Sequence, residues 1–170
     1  MILQGEHLQL KTLTSAMVTQ KYVDWMNDPE VTQYTESRFV KHTMMGVKQY
    51  VADISGSSND YLYGIYESNE HIGNIKLCTN MRHKLGDISI LIGDKTKWGK
   101  GYGTEAIKLL TKHGFETLEL HKISAGIYSN NVGSIKTFEK AGYKHDGIHE
   151  LTYLYQGKYV DEIIVSRFND

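Results

Sequence analysis

A run of alternating glycines in the middle of the chain has the composition of a phosphate-binding turn. Glycines at a strand-to-helix junction let the backbone turn with positive φ and let a ligand approach with no side chain in between. The amide hydrogens of such a turn point outward at a helix N-terminus, where free donors and the helix dipole together favour a phosphate. Lys95, Lys97 and Lys100 add positive charge at the same place. The segment therefore predicts a diphosphate site, formed by Trp98, Gly99, Lys100, Gly101, Tyr102, Gly103 and Thr104.

Two well-known phosphate-binding motifs fit this spacing poorly. A Walker A loop carries one residue fewer between its first glycine, here Gly93, and the Gly-Lys pair, and Gly101 stands where its hydroxyl residue belongs. A dinucleotide fingerprint can be aligned with Gly101 and Gly103, but it needs an acid about 20 residues further on. The next predicted strand, 122–128, is followed by Ser-Asn-Asn and offers no such acid.

The hydrophobic pattern predicts the elements that hold this segment. Alternation predicts a strand at 87–93 that enters the glycine run, and helical spacing predicts the helix that leaves it. A helical crossover joins 87–93 to 122–128, so we expect these two strands to be parallel in a mostly antiparallel sheet. The remaining predicted elements are strands at 7–13, 61–66, 71–77, 143–155 and 158–168, and helices that begin at Thr14 or Ser15, at Thr43, at Thr104 and at Asn131.

Length and charge limit the classes of function. The chain has 170 residues, 40% of them hydrophobic, and a formal net charge of −1, so it has material for one core and no overall field that favours nucleic acid or a membrane surface. The single cysteine, Cys78, cannot form an internal disulfide, and no apolar run approaches the roughly 20 residues of a membrane span. We expect one domain at 1–170 in the cytoplasm, with no metal, because no histidine lies at ligand spacing from a carboxylate or cysteine cluster.

The glycine run resembles the coenzyme A loop of the GNAT acetyltransferase superfamily, in the version found in the ribosomal-protein N-terminal acetyltransferase branch. Trp98 occupies a Gln/Arg position of that loop, a departure that the branch often shows. A second stretch, 131–143, is similar to the family's Asn-x-x-Ala/Ser-x-x-x-Tyr-Glu-Lys-x-Gly-Phe. The order of predicted elements follows the GNAT order over essentially the whole chain. The resemblance implies an α+β, three-layer α/β/α fold whose mixed, mostly antiparallel sheet is splayed at its centre, with about four helices.

The resemblance also implies acetyl-CoA as cofactor. In the family, the pantetheine arm pairs like an extra strand with the sheet edge that the splay exposes, which here means Ile90, Leu91 and Ile92. A backbone N–H on that edge faces the thioester oxygen and acts as a preorganised donor to the oxyanion. Asn131 and Ser134, at the matching motif positions, are implied cofactor contacts.

The acid and the base are where the chain departs from its family. The usual tyrosine aligns with Phe138, so Ser134, one turn earlier, is the expected proton donor to the leaving sulfur. Alternatively, Ser134 only binds the cofactor and the thiolate takes its proton from water. Glu36 is the expected base, directly or through a water, because it lies in the loop that closes over the acceptor in the family. Asp87 is the second candidate.

The same loop carries the expected acceptor contacts, Tyr34, Glu36 and Arg38. Arg38 has the geometry to clamp a phosphate, and Tyr34 or Phe39 to stack on a base or sugar; alternatively, Arg38 pairs with Glu36 or another acid and touches no ligand. We expect direct acetyl transfer in a ternary complex to a small-molecule primary amine, such as a nucleotide-linked amino sugar. A protein N-terminal acetyltransferase and a non-catalytic acyl-CoA sensor are the alternatives, and the sequence leaves a homodimer open.

Overall fold

The computed structural model describes residues 1–169, in which an eight-stranded sheet is flanked by helices on both faces. Its strands are β1 (Ile2–Gln4), β2 (Gln9–Thr12), β3 (Asp60–Glu67), β4 (Glu70–Asn80), β5 (Leu85–Ile92), β6 (Lys122–Tyr128), β7 (Lys144–Tyr155) and β8 (Lys158–Phe168). Its α-helices are α1 (Gln20–Asn27), α2 (Pro29–Thr32), α3 (Met44–Ser55), α4 (Tyr102–Glu116) and α5 (Val132–Lys140). Single 3₁₀ turns lie at Ser15–Met17, Glu36–Phe39 and Lys95–Lys97.

The sheet is mixed and mostly antiparallel, as the sequence predicts. Its strand order is β1-β2-β3-β4-β5-β6-β8-β7, and β5 and β6 form the one parallel pair within the described residues. The 15-residue helix α4 makes the crossover between these two strands.

The centre of the sheet splays. Strands β5 and β6 share register pairs only from Leu85 with Lys122 to Asp87 with Ser124. Beyond that point β5 stays paired with β4 as far as Ile92, while β6 follows β8 away from it. The predicted splay is therefore confirmed, and it leaves the inner edge of residues 88–92 without a neighbouring strand.

Two apolar clusters hold the layers together. On one face, Ile107 and Leu110 of α4 pack against sheet residues such as Ile65 and Ile123. On the other face, α1 and α3 pack against Leu13, which directly follows β2, and against Leu62 of β3. This second cluster contains no residue of β6, β7 or β8, so the helical layer on that face ends at β5 and part of the sheet stays open.

The N-terminal region differs from the sequence-based expectation. Strand β1 is not indicated by the pattern, and α1 begins at Gln20, capped by the side chain of Thr19 rather than by Thr14 or Ser15. The cause is Val18, which is extended and buried, so the chain must enter the core before the helix can start. The structure has five α-helices against the expected four or so, because Pro29 ends one helix and opens α2 at its first position.

Gly93, where β5 leaves the sheet toward the glycine run, offers a test of this packing. A Cβ added there would lie 2.0 Å from the ring of Trp25, which is itself buried in α1. We expect Gly93→Ala to lower the free energy of unfolding by about 1–3 kcal/mol, measured by urea denaturation, because the rigid indole must move. The control is Gly147→Ala, whose added Cβ has no neighbour within 4 Å and which should change stability little. Equal effects of the two substitutions would contradict the packing described.

Candidate active site

A cleft with a volume of about 1480 Å³ opens where β5 and β6 part. Its walls are the free edge of β5, the N-terminal turn of α4, one side of α5, and the loop between α2 and α3. All but one of the site residues predicted from the sequence line this cleft: Tyr34, Glu36, Ile90, Leu91, Ile92, Trp98, Gly99, Lys100, Gly101, Tyr102, Gly103, Thr104, Asn131 and Ser134.

The glycine run has the backbone shape that the sequence predicts. Gly99 and Gly101 have φ of +72° and +89°. Residues with a Cβ resist this left-handed conformation, whereas glycine adopts it readily. A Cβ added at either position would meet no atom within 4 Å. Gly101 is the N-cap of α4, so the run opens directly into the helix. The space above these glycines is available to a ligand.

The backbone N–H groups of this run are free. The N–H of Trp98 donates to the carbonyl of Lys95, and that of Glu105 donates to the carbonyl of Gly101. Between them, the N–H groups of residues 99–104 donate no hydrogen bond to any atom of residues 1–169. A series of unpartnered donors at the positive end of a helix fits the diphosphate of coenzyme A.

Only one of the three lysines near the glycine run adds free positive charge to the predicted diphosphate site, which corrects the expectation from the sequence. Lys95 pairs with Glu30 at 2.8 Å, and Lys97 pairs with Glu67 at 2.8 Å, so both charges are neutralised locally. Lys100 has no carboxylate within ion-pair distance among the described residues. The other cleft-lining lysines in that condition are Lys76, Lys108, Lys136 and Lys140.

The β5 edge and Trp98 meet at the mouth of the cleft. The indole Nε1 of Trp98 donates to the carbonyl oxygen of Ile92 at 2.8 Å, which ties the glycine run to the end of the strand. Trp98 therefore faces the cleft with its ring rather than with its polar atom, while the edge from Ile90 onward remains without a partner strand.

Helix α5 presents the short polar face that the second motif predicts. The side chain of Asn131 caps the helix by accepting the N–H of Ser134 at 3.2 Å. The Ser134 hydroxyl lines the cleft and has no hydrogen-bond partner within residues 1–169. Thr137 also lines the cleft, but its hydroxyl donates to the carbonyl of Gly133 at 2.8 Å. Phe138 is 2% exposed and packs edge-on against Tyr143.

Glu36 reaches the cleft from the 3₁₀ turn, and Tyr128 holds it there. The hydroxyl of Tyr128 donates to Oε1 of Glu36 at 3.0 Å. Tyr34 stacks on Tyr155 with ring centroids 5.2 Å apart and meets Tyr128 edge-on. The loop between α2 and α3 is thereby fixed against β6 and β7, with Tyr34 as an aromatic wall.

Arg38 does not line the cleft. Its guanidinium donates to the carbonyl of Gln33 at 2.9 Å, to the hydroxyl of Tyr128 at 2.8 Å and to the carbonyl of Leu154. These bonds tie the loop to the β7–β8 hairpin and use the donors that a phosphate would need. The expected phosphate clamp is therefore contradicted by geometry. The alternative pairing with Glu36 is indirect, because both side chains contact the Tyr128 hydroxyl instead.

Glu162 of β8 is a cleft residue that the sequence did not single out. Its Oε1 accepts a hydrogen bond from the hydroxyl of Tyr153, and its Oε2 lies 2.7 Å from Nδ1 of His149. The ring of Tyr153 stacks on that of Tyr128 at 4.0 Å. The available signal was an acid just before the apolar run 163–165, but recognising it required the knowledge that β8, and not β7, lies beside β6.

Asp87 sits at the vertex of the splay. The residue is exposed to the cleft, but the protein around its carboxyl group removes part of that group's water. This desolvation, assisted by the negative charge of Glu162 and opposed by Lys76, raises the pKa of Asp87 to about 6. Asp87, the second candidate base from the sequence, is therefore the carboxylate whose pKa lies nearer to neutral pH than that of an ordinary aspartate.

Within residues 1–169, no group of three histidine, cysteine, aspartate or glutamate side chains is placed to hold a metal ion. No helix in this part of the chain is long and apolar enough to cross a membrane.

Comparisons with known proteins agree with the fold. Residues 7–144 match the family model for the acetyltransferase (GNAT) domain. Probable N-acetyltransferase YjcK of Bacillus subtilis (strain 168) is 33% identical over 115 residues. The match covers 65% of this chain and 62% of that protein, which is less than two thirds of its length.

Two solved structures share the architecture. Spermidine N-acetyltransferase from Vibrio cholerae, in complex with CoA and spermine, has a TM-score of 0.86 at 18% identity and covers 96% of each chain. RimL, a ribosomal L7/L12 alpha-N-protein acetyltransferase in complex with coenzyme A, has a TM-score of 0.90 at 15% identity and covers 100% of this chain and 99% of its own. The chain belongs to the GNAT family of acetyltransferases, whose members use acetyl-CoA.

Proposed function

We propose that this protein transfers the acetyl group of acetyl-CoA directly to the amino group of a small cationic amine. The observation that carries this proposal is the set of charged and polar groups that line the cleft. The free N–H groups of residues 99–104 lie at the N-terminus of α4, and the carboxylates of Glu36, Asp87 and Glu162 come from the 3₁₀ turn, β5 and β8.

The cofactor half of the cleft has a separate group for each part of acetyl-CoA. Backbone donors of the glycine run hold the diphosphate, and Lys100 adds an unpaired positive charge. The inner edge of β5 at Ile90 and Leu91 offers backbone groups to the amides of the pantetheine arm. Acetyl-CoA supplies an acyl group that is already activated as a thioester.

The acceptor half suits an ammonium ion. A cationic amine is attracted by carboxylates but must lose a proton before its nitrogen can attack. Asp87 is the base that we favour, because a carboxylate with its pKa near 6 is still ionised at neutral pH yet is a stronger base than an ordinary aspartate. Glu36, which was the first choice from the sequence, is assigned to binding the ammonium, since Tyr128 holds its carboxylate in place.

Direct transfer, without an acetylated enzyme, is supported by the state of the single cysteine. Burial and a hydrogen bond with Asp60 raise the pKa of the Cys78 thiol to about 11, so the nucleophilic thiolate is scarce at neutral pH. Cys78 also does not line the cleft.

The nucleotide-linked amino sugar loses its main support, because Arg38 is bonded within the protein. A protein N-terminus is the second candidate, since it too arrives as an ammonium and RimL, which shares the fold, acts on ribosomal protein L7/L12. The test is a panel of spermidine, simple monoamines, nucleotide-linked amino sugars and N-terminal peptides at matched concentrations. We expect the highest kcat/KM with spermidine or a monoamine. A peptide or amino-sugar preference would contradict the acceptor, and acetyl-CoA binding without thiol release would indicate the sensor.

Gly101 tests the cofactor half. We expect Gly101→Val to weaken acetyl-CoA binding roughly tenfold to 100-fold by calorimetry, because a β-branched residue resists positive φ and covers the donors. The loss of one charge-assisted hydrogen bond, worth about 1.5–3 kcal/mol, accounts for that range. Gly147→Val is the control, since that position has no close neighbours and lies outside the cleft. A folded Gly101→Val protein with unchanged affinity would remove the diphosphate site.

Asp87 predicts the pH dependence. Because the base acts in its ionised form, kcat/KM for the amine should rise with pH through a limb near pH 6. We expect Asp87→Asn to lower kcat about 100-fold or more and to abolish that limb. Asp53→Asn, on the exposed side of α3, is the matched control. A normal acid limb in Asp87→Asn would exclude Asp87 as the base.

Ser134 tests the proton donor. We expect Ser134→Ala to lower kcat about tenfold or more, because its free hydroxyl is the expected donor to the leaving sulfur. Thr137→Val removes a hydroxyl from the same helix that is already bonded to Gly133, and it should have little effect. If Ser134→Ala raises only the KM for acetyl-CoA, the residue binds the cofactor and the acid role is wrong.

A further inference from the structure

We propose that His149, outside the cleft, carries the proton released by the acceptor amine from Glu162 to bulk water. This inference rests on the proposed function. When an ammonium is acetylated, RNH₃⁺ and acetyl-CoA give the amide, free CoA thiol and one H⁺. The proton must leave a cleft that is filled by two substrates, so a route through the protein is useful to every turnover.

Glu162 connects the inside of the cleft with the surface. Its side chain is 15% exposed and lines the cleft, whereas the side chain of His149 is 66% exposed and does not line it. The two are joined by the 2.7 Å contact between Nδ1 of His149 and Oε2 of Glu162. The other carboxylate oxygen accepts the hydroxyl of Tyr153, so each oxygen has a separate partner.

An irregularity in β7 creates this arrangement. His149 is opposite Glu162 and Tyr153 is opposite Val160, so β7 advances four positions while β8 advances two. In a regular strand, side chains four residues apart are separated by about 13 Å and cannot share one carboxylate. The extra residues are looped out, with Leu151 at φ +48° and its N–H bonded to the side chain of Asp161. Bulges of this kind re-aim side chains, and a leucine at positive φ is a strained conformation that the surroundings must maintain.

Gly126 of β6 makes the opposite side of Glu162 accessible. A Cβ added at Gly126 would lie 2.1 Å from Oε1 of Glu162, so a side chain there would displace the carboxylate. Because Gly126 has no side chain, the carboxylate of Glu162 can lie directly over this position of β6. Asp87 responds to this neighbour, since the charge of Glu162 contributes to its raised pKa.

Among the charged and titratable groups described here, His149 is the one suited to take the proton from Glu162 and pass it to water. From β5, Asp87 interacts electrostatically with Glu162. Asp87 also interacts with Lys76 of β4, whose pKa is raised despite partial burial, so Lys76 stays cationic. From β7 comes Tyr153, whose pKa is raised by burial and by Glu162, so it stays protonated. Tyr128 of β6 is a donor to Glu36 and is likewise protonated, since its pKa is raised mainly by burial. Histidine is the residue type that exchanges protons with water near neutral pH.

The relay passes one proton from the amine to water through Asp87, Glu162 and His149. An N–H bond of the ammonium breaks as an O–H bond forms on Asp87, which passes the proton to Glu162. At rest His149 donates its Nδ1–H to the ionised Glu162. While Glu162 is protonated, exchange with water moves the histidine proton from Nδ1 to Nε2, and Glu162 then gives its own proton to Nδ1. The imidazolium releases the proton on Nε2 to water, which restores the Nδ1–H tautomer and leaves both carboxylates ionised.

The experiment compares His149→Ala, His149→Gln and His145→Ala with wild type, using the panel amine with the highest kcat/KM in weakly buffered solution. His145, exposed on the same strand and beside Glu139, is the control and should be unaffected. We expect His149→Ala to lower kcat severalfold or more, with the KM for acetyl-CoA unchanged, and millimolar imidazole to restore it. His149→Gln keeps a donor to Glu162 but cannot relay a proton, so it should be as slow as His149→Ala.

Full kcat in His149→Ala, or full kcat in His149→Gln without imidazole, would overturn the relay while the wild-type turnover upholds the proposed function. A wild type that acetylates no amine would overturn the proposed function, and the relay with it. One readout needs no turnover: carboxyl ¹³C NMR of the ligand-free protein. Asp87 should titrate near 6 in wild type and lower in Glu162→Gln. An unchanged Asp87 titration would overturn the handover from Asp87 to Glu162.

Discussion

The early end of pairing between β5 and β6 is the constraint on which the rest of the site depends. These strands separate after Asp87 and Ser124, yet neither is left unsupported, because β4 continues along β5 and β8 continues along β6. The exposed inner edge therefore costs the fold only the hydrogen bonds between those two strands. In return, it leaves backbone donors and acceptors lining a cleft that the core elements keep rigid.

The cleft that results is electrically asymmetric. At its mouth, the free N–H groups of α4 and an unpaired Lys100 favour an anion. Near the vertex, the carboxylates of Asp87 and Glu162 both line the cleft and favour a cation. One end thus suits the diphosphate of a cofactor and the other an ammonium, which is the charge pattern of acetyl-CoA and an amine meeting at a thioester.

Local signals made much of this predictable from the sequence. The glycines at 99 and 101 required positive φ, Asn131 was recognisable as a helix cap, and the crossover implied a parallel pair. The predictions that were wrong concerned side chains whose partners are distant in the chain. Arg38 is diverted by the carbonyl of Leu154, and nothing in the sequence indicates that they meet.

The sequence did not predict the role of Glu162 in the cleft, for the same reason. Glu162 faces it because β8 inserts between β6 and β7, and His149 and Tyr153 share its carboxylate because of an irregular register. A strand pattern indicates which faces alternate but not which strand lies next, nor where two residues are looped out.

We propose that the free N–H groups of residues 99–104 hold the cofactor. Residue-resolved amide hydrogen exchange, with and without acetyl-CoA, measures them directly. We expect fast exchange of residues 99–104 in the free protein and strong protection on addition of acetyl-CoA, with little change in β1 or the tip of the β7–β8 hairpin. Saturating acetyl-CoA that leaves residues 99–104 unprotected, or that protects a different surface, would contradict it.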